Sequence, residues 1–275
     1  MMHSEALFII DKPVGPTSFD VIRELKKIYP KEKIGHAGSL DPFATGVLVV
    51  LLGRATKLSN ALLNADKVYR ATLELGKETD SLDLTGQVIQ EAPVPDLNRE
   101  MIESCLASFL GEWQQLPPMF SAKKVKGVRL YELARQNVNI PRERVPVQLY
   151  RLDLVEFSGN RLVFDVHCSK GTYIRSLGQE IALRLGTLGY LTELRRLACG
   201  PFLIEASRTV AQLTTNPQGE RLRGFQHFTE LLRAEGLVRG HQALGPKHEG
   251  FSGQENPQLP RPFNSGNPGS HNLAM

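Results

Sequence analysis

The stretch Gly35-His36-Ala37-Gly38-Ser39-Leu40-Asp41-Pro42-Phe43-Ala44-Thr45-Gly46-Val47-Leu48 places one carboxylate among three glycines and a proline. Glycine permits backbone conformations and close approaches that a side chain would block, and Pro42 fixes the turn that follows Asp41. The apolar run at residues 47–52 is typical of a buried strand. Asp41 is therefore predicted on a shaped loop beside a rigid element, which is a common position for catalytic groups. An isolated Asp-Pro pair would indicate only a turn.

The rest of the chain alternates between strand and helix patterns. Apolar or alternating runs predict strands at residues 6–12, 47–52, 67–75, 87–91, 147–157, 161–168 and 191–197. Helical spacing predicts helices that begin at Thr17 or Ser18, at Asp96 or Asn98, and at Thr172, the last two ending at Gly111 and Gly186. Because there is no regular βαβ repeat, we predict an α+β domain on a largely antiparallel sheet.

Composition limits the class of protein. The 275 residues allow one large domain or a domain with a small appendage, and 41% apolar residues are ample for a core. No apolar run is long enough for a membrane span, and residues 6–10 are too short for a secretory signal, so we expect a cytoplasmic protein with no membrane partner. Cys105, Cys168 and Cys199 lie far apart, which disfavours a disulfide framework or a zinc site.

Local charge is more informative than the formal net charge of +4. Residues 117–151 contain only two acidic residues, both glutamates. The basic residues of the same segment are Lys123, Lys124, Lys126, Arg129, Arg135, Arg142, Arg144 and Arg151. Such a cluster is expected either at a site of phosphate contact or on a solvated basic face. Residues 240–275 are rich in glycine, proline and small polar residues and are predicted to be a disordered tail.

Three segments together resemble a known family. Residues 35–48 closely resemble the catalytic motif of the bacterial tRNA pseudouridine synthase B (TruB) family. Cys168-Ser169-Lys170-Gly171-Thr172-Tyr173-Ile174-Arg175 resembles a second family motif, and residues 116–135 resemble the RNA-gripping insertion of that family. The resemblance implies a mixed, largely antiparallel sheet flanked by helices.

The resemblance also implies a domain organisation. It predicts a catalytic domain at residues 1–207, with the basic RNA-binding insertion at 117–146. A partly helical extension at 208–239 and the tail at 240–275 would follow. Relatives commonly end in a β-rich RNA-binding domain of the PUA type, but residues 208–275 contain too few strand patterns for a recognisable PUA domain.

The catalytic residues are implied by these motif matches. Asp41 matches the family nucleophile, for which attack on the ribose C1′ and attack on the base C6 are both open. Arg175 matches the arginine that pairs with the nucleophile, and Tyr69 matches a tyrosine that stacks on the target uracil and is a candidate for removing the C5 proton. Taken alone, Arg175 would be a surface arginine and Tyr69 a core tyrosine.

A further set of residues is implied to bind substrate or RNA: Lys12, His36, Lys123, Lys124, Tyr173 and Leu194. Tyr173 and Leu194 match walls of the uridine site. His36 could be a loop residue bonded to backbone, a general base, or a ring that stacks where the extruded base had been. Residues 81–86 keep only part of an acidic family element, so no catalytic role is assigned to them.

The expected activity is isomerisation of the T-loop uridine of tRNA, at position 55 in tRNA numbering. The resemblance implies no cofactor, no metal and no guide RNA, and we expect a monomer that binds the T-arm. Two alternatives remain: a non-catalytic tRNA-binding protein or folding chaperone, and a synthase acting on another RNA. A purely binding protein would not need Asp41, Tyr69 and Arg175 together.

Overall fold

The apolar strand that follows the Asp41 loop is covered on both of its faces. The computed structural model describes residues 6–121, 140–215 and 217, and the backbone of residues 124–125 and 128–129. The chain divides into the units 1–244 and 245–275, and all described residues belong to the first unit. The predictions for residues 218–275 therefore lie outside the described part.

The described strands are β1 (Ala6–Lys12), β2 (Ile34–Ala37), β3 (Thr45–Leu52), β4 (Lys67–Leu75), β5 (Lys77–Thr79), β6 (Val88–Glu91), β7 (Gly111–Gln115), β8 (Lys124–Val125), β9 (Val128–Arg129), β10 (Val145–Ser158), β11 (Arg161–Cys168), β12 (Gly189–Cys199) and β13 (Phe202–Leu203). The described α-helices are α1 (Ser18–Ile28), α2 (Ser59–Leu63), α3 (Arg99–Ala107), α4 (Ile174–Arg184) and α5 (Val210–Thr215). Two 3₁₀ helices cover Gly53–Leu58 and Ile204–Ala206.

Nine strands form one sheet, in the order β1-β3-β12-β4-β11-β10-β7, with β2 paired to β3 and β13 paired to β12. Among these pairs only β12 and β3 run parallel, over the short register Arg195↔Thr45 and Arg196↔Gly46. β5–β6 and β8–β9 are separate two-stranded ribbons. The predicted α+β class with a largely antiparallel sheet is confirmed.

The core lies on both sides of β3. On one side, α1, α3 and α4 pack on the sheet through residues such as Leu25, Ile102 and Leu177. On the other side, Leu58 and Leu62 from the 3₁₀ helix and α2 cover the alternate positions of β1 and β3. Coverage on both faces explains why β3 is apolar throughout instead of alternating.

Two of the three predicted helix starts are confirmed, and Gly186, with φ of +82°, follows the end of α4 as predicted. Thr17 caps α1 in a reciprocal capping box with Asp20, and Asn98 caps α3 by accepting from the Met101 amide. The prediction that the second helix extends to Gly111 was wrong, because α3 ends at Ala107 and Gly111 begins β7. Phe109 continues the apolar spacing but is buried from the turn between the two elements.

The predicted cap of α4 was also wrong. The Thr172 hydroxyl donates to the Ser169 carbonyl, and the N-cap residue is Tyr173, whose side chain makes no capping bond. Gln115 of β7 stabilises this start instead: its Oε1 accepts from the Tyr173 amide at 2.9 Å, and its Nε2 donates to the Gly171 carbonyl at 2.6 Å. The stabilising group therefore comes from a distant part of the chain.

Candidate active site

The loop between β2 and β3 carries Asp41 and is held by hydrogen bonds to residues 15 and 18. The Ser18 hydroxyl bonds the Leu40 backbone, accepting from its amide at 2.9 Å, and the Gly15 amide donates to the Pro42 carbonyl at 2.8 Å. Two glycines of the loop have positive φ, +77° at Gly38 and +98° at Gly46. The loop thus depends on glycine at the points where the chain enters and leaves it.

Arg175 places its guanidinium beside the Asp41 carboxylate. Nε of Arg175 lies 3.0 Å from Oδ2 of Asp41, and the arginine side chain is only 4% exposed. Its two other nitrogens donate to the carbonyls of Ser81 and Phe120, each at 2.8 Å. The contact with the carboxylate is therefore made through Nε, while the remaining donors fix the guanidinium to backbone.

Solvent still reaches Asp41, since 41% of its side-chain surface is accessible. Protein atoms nevertheless crowd around the carboxylate, and this burial raises the pKa of Asp41 above its ordinary value. The Arg175 guanidinium lowers that pKa, and the Asp83 carboxylate raises it. The site can therefore present a carboxylate that is both reachable and poorly solvated, which suits a nucleophile.

Asp83 is a site residue that the sequence analysis missed. It is buried, and its Oδ2 lies 3.5 Å from Nη1 of Arg175. Its Oδ1 accepts from the Ser81 hydroxyl at 2.8 Å and from the Thr85 amide at 2.9 Å. Asp83 thus holds the far side of the Arg175 guanidinium. The only sequence signal was the partial match of residues 81–86 to an acidic element.

Tyr69 and Leu194 lie on the same face of adjacent strands. Leu194 of β12 pairs with Ala71, and Tyr69 pairs with Arg196, so the two side chains point to the side that also holds Leu40. Burial raises the pKa of Tyr69 to about 12, against the opposing charge of Arg196. Tyr69 therefore carries its proton at neutral pH and presents a ring and a hydroxyl.

Tyr173 lies at the start of α4, immediately before the helix that carries Arg175. Burial raises the pKa of Tyr173, while Ser121 and Arg175 lower it and Asp41 raises it. The charges of both Asp41 and Arg175 therefore act on the Tyr173 phenol.

His36 lies in β2, opposite Val50 of β3. Its pKa is lowered by burial and by the charge of Arg196, so the imidazole is neutral at neutral pH. Its Nδ1 is buried and has no hydrogen-bond partner among the described residues. The structure does not bear on whether this ring stacks on RNA, which stays a prediction.

Lys12 is completely buried beneath the Asp41 loop. Its ammonium donates to the carbonyls of Pro13 and Pro16 at 2.8 Å and of Pro42 at 3.2 Å. Burial lowers its pKa to about 8, against the raising effect of Asp41. Lys12 is thus placed to brace the loop from within the protein.

The basic insertion is described only in part. Lys123 and the side chain of Lys124 lie outside the described residues. Arg142 donates to the Pro117 carbonyl at 2.9 Å and Arg144 to the Gln114 carbonyl at 2.7 Å. Arg151 pairs with Asp153 at 2.6 Å. These three arginines of the basic segment therefore bond to the protein itself, and two of them join the ends of the insertion.

The described residues contain no group of three or more His, Cys, Asp or Glu side chains that could hold a metal ion. Within the same part of the chain, no helix combines the length and apolarity needed to cross a membrane.

Comparison with known proteins matches the chain to one family. Residues 26–174 match the model of the TruB family pseudouridylate synthase (N terminal domain). The tRNA pseudouridine synthase B of Bordetella avium is 44% identical over 222 residues, which are 79% of this chain and 91% of that protein. The tRNA pseudouridine synthase B of Hydrogenovibrio crunogenus is 43% identical over 77% of this chain and 70% of that protein.

Solved structures agree on the fold. A chain from a crystal structure of a Cbf5-Nop10-Gar1 complex is 32% identical and superposes with a TM-score of 0.62. The match covers 82% of this chain and 59% of that chain. A chain from an H/ACA RNP bound to a substrate RNA containing 2′-deoxyuridine gives a TM-score of 0.57 at 31% identity, and 52% of it is covered. This chain thus spans little more than half the length of these solved relatives.

Proposed function

Because the chain belongs to the TruB family of pseudouridylate synthases, we propose that the uridine it isomerises lies in the T-loop of tRNA, at position 55, and that Asp41 is the nucleophile. The observation that supports this role is the pair formed by a solvent-accessible Asp41 carboxylate and the buried Arg175 guanidinium, 3.0 Å apart. A charge-assisted contact of this kind orients the carboxylate and favours its ionised form.

The chemistry requires one bond exchange on the same nucleotide. The bond between uracil N1 and ribose C1′ breaks, the base turns, and a bond from C5 to C1′ replaces it, while C5 loses a proton and N1 gains one. Attack by Asp41 on C1′ or on C6 would divide this change into easier steps. The reaction has no net oxidation, so we propose that it needs no cofactor.

Three side chains are proposed to hold the uracil during this exchange. Tyr69 offers a ring on the face shared with Leu194, and Tyr173 lies near the Asp41–Arg175 pair. We propose that uracil stacks on Tyr69 and that Leu194 and Tyr173 border it. His36 supports extrusion of the base, since a neutral ring can occupy the vacated stack at little desolvation cost.

The RNA partner is proposed to be the T-arm of tRNA, bound by a monomer in the cytoplasm without a guide RNA. A folded loop with splayed bases is the kind of target that sequence-selective RNA recognition favours. Lys123 and Lys124 are proposed to contact phosphates. Changing them to alanine together with Lys126 should weaken tRNA binding and lower the slope of log affinity against log salt by about two to three units. An unchanged slope would assign these lysines to a solvated face.

The deciding experiment is pseudouridine mapping on unmodified tRNA incubated with the purified protein alone, with Asp41→Asn as the control. Product at position 55 with the wild type and none with the variant is expected. Binding without product would favour the non-catalytic tRNA-binding protein, and product in another RNA only would favour a synthase of different specificity.

A further inference from the structure

Arg196 is a buried arginine for which the proposed mechanism has no use. It lies in β12, is 1% exposed, and has no carboxylate within 4.0 Å among the residues that the structure describes. Burying a guanidinium without a countercharge is costly unless its donors are satisfied. The residues that satisfy them therefore show what the side chain holds in place.

Two hydrogen bonds of the Arg196 side chain go to the ends of the Asp41 loop, and a third links it to the Tyr69 side chain. Nε donates to the Val47 carbonyl at 2.6 Å, and Nη2 donates to the Gly38 carbonyl at 3.0 Å. These two carbonyls flank residues 39–46, the segment that contains Asp41. One planar group thus fixes both the entrance and the exit of the loop.

The backbone of Arg196 touches the same loop from the sheet. Arg196 pairs with Gly46 in the short parallel ladder between β12 and β3. A Cβ built on Gly46 would lie 2.2 Å from the Arg196 carbonyl oxygen. The backbones of β3 and β12 therefore approach so closely that only glycine fits at this position. On its other side, Arg196 pairs with Tyr69 of β4.

We propose that Arg196 is a positioning residue that sets the place of Asp41 relative to Tyr69. It contacts the Asp41 loop on one side and β4, the strand of Tyr69, on the other. A change in its side chain would therefore move the Asp41 loop relative to Tyr69. Lys12 and Arg175 do not replace it, because they hold the Pro42 carbonyl and the carboxylate itself. This inference rests on the proposed function.

The test compares Arg196→Lys with Arg195→Lys. Lysine keeps the charge but presents a single ammonium in place of a planar group with separate donors, so it cannot reproduce both carbonyl contacts. Arg195 is the adjacent residue and pairs with Asp11 at 2.8 Å on the opposite side of the sheet. Arg195 also donates to the Thr45 hydroxyl at 3.3 Å, but the same substitution there leaves the bonds to the Gly38 and Val47 carbonyls unchanged.

We expect Arg196→Lys to lower the single-turnover rate of pseudouridine formation about 100-fold, since a displacement near 1 Å can cost that much. Affinity for a T-arm RNA should stay within about threefold, because it comes mainly from phosphate contacts. Arg195→Lys should retain the wild-type rate. Amide hydrogen exchange at residues 39–46 should accelerate in Arg196→Lys and not in Arg195→Lys.

A wild-type rate in Arg196→Lys would overturn the inference, because charge alone would then suffice. Loss of the cooperative melting transition in both Arg196→Lys and Arg196→Gln would also overturn it, since the residue would then hold the whole fold. If the wild type formed no pseudouridine in tRNA, the proposed function would fail, but hydrogen exchange would still decide this inference. Unchanged exchange at the loop would refute it, and faster exchange would support it.

Discussion

Replacing Gly46 with alanine tests whether the close approach of β3 and β12 controls both stability and the site. Gly46 has φ of +98°, a conformation that alanine rarely adopts. Its added Cβ would also lie 2.2 Å from the Arg196 carbonyl oxygen and 2.9 Å from the Arg196 nitrogen. Both atoms are backbone, so the collision can be relieved only by separating the two strands.

The expected cost has two parts. Holding a residue with a side chain at such a φ costs about 1–3 kcal/mol, and forcing an extra methyl into a packed region costs about 1–3 kcal/mol more. Gly111→Ala is the matched control, because Gly111 has φ of +94° and a Cβ there would meet nothing within 4 Å. The two variants share the conformational part and differ in the collision.

Thermal melting of the two variants measures the difference directly. An extra cost of about 2 kcal/mol at Gly46 corresponds to a Tm about 4–8 °C below that of Gly111→Ala, if the folded unit has roughly 200 residues. The single-turnover rate should fall in Gly46→Ala alone, because separating the strands moves the Asp41 loop away from Tyr69. Equal Tm values and equal rates in the two variants would refute this reasoning.

Three further predictions concern the Asp41 pair. Asp41→Asn should abolish pseudouridine formation while tRNA affinity stays within about threefold, because the amide is a far weaker nucleophile and binding rests on phosphate contacts; single-turnover and binding assays would show this, and normal turnover would contradict it. The wild-type rate should fall as pH decreases through the raised pKa of Asp41, since only the ionised carboxylate attacks; a rate profile that is flat through the acid range would contradict this. Asp83→Asn should move that acid limb to lower pH and Arg175→Gln to higher pH, because Asp83 raises and Arg175 lowers the pKa of Asp41; shifts in the same direction would exclude this assignment.

Much of the fold could be predicted because its signals are local. Alternation along β4 assigned Tyr69 to the buried face, and the hydroxyl residues Thr17 and Ser18 marked the start of α1. The wrong cap of α4 arose where a distant group decides the outcome. Gln115 stabilises the start of α4 from β7, and no residue near Thr172 in sequence indicates this.

The site divides in the same way. Asp41 and Arg175 could be predicted from their motifs, and the structure brings them within 3.0 Å. Asp83 was missed because its carboxylate acts on Arg175, a residue far from it in the chain. The burial of Lys12 and Arg196 could not be predicted either, because lysine and arginine are almost never fully buried unless paired.

These buried cations share one physical feature, which explains why the site tolerates them. Lys12 and Arg196 both donate to backbone carbonyls of the loop around Asp41, and Arg196 also bonds the Tyr69 side chain. Carbonyl oxygens satisfy the donors without neutralising the charge, so Lys12 keeps a favourable interaction with the Asp41 carboxylate. Arg175 contacts both the Asp41 and the Asp83 carboxylates. Lys12 and Arg175 therefore also offset part of the desolvation that raises the pKa of Asp41.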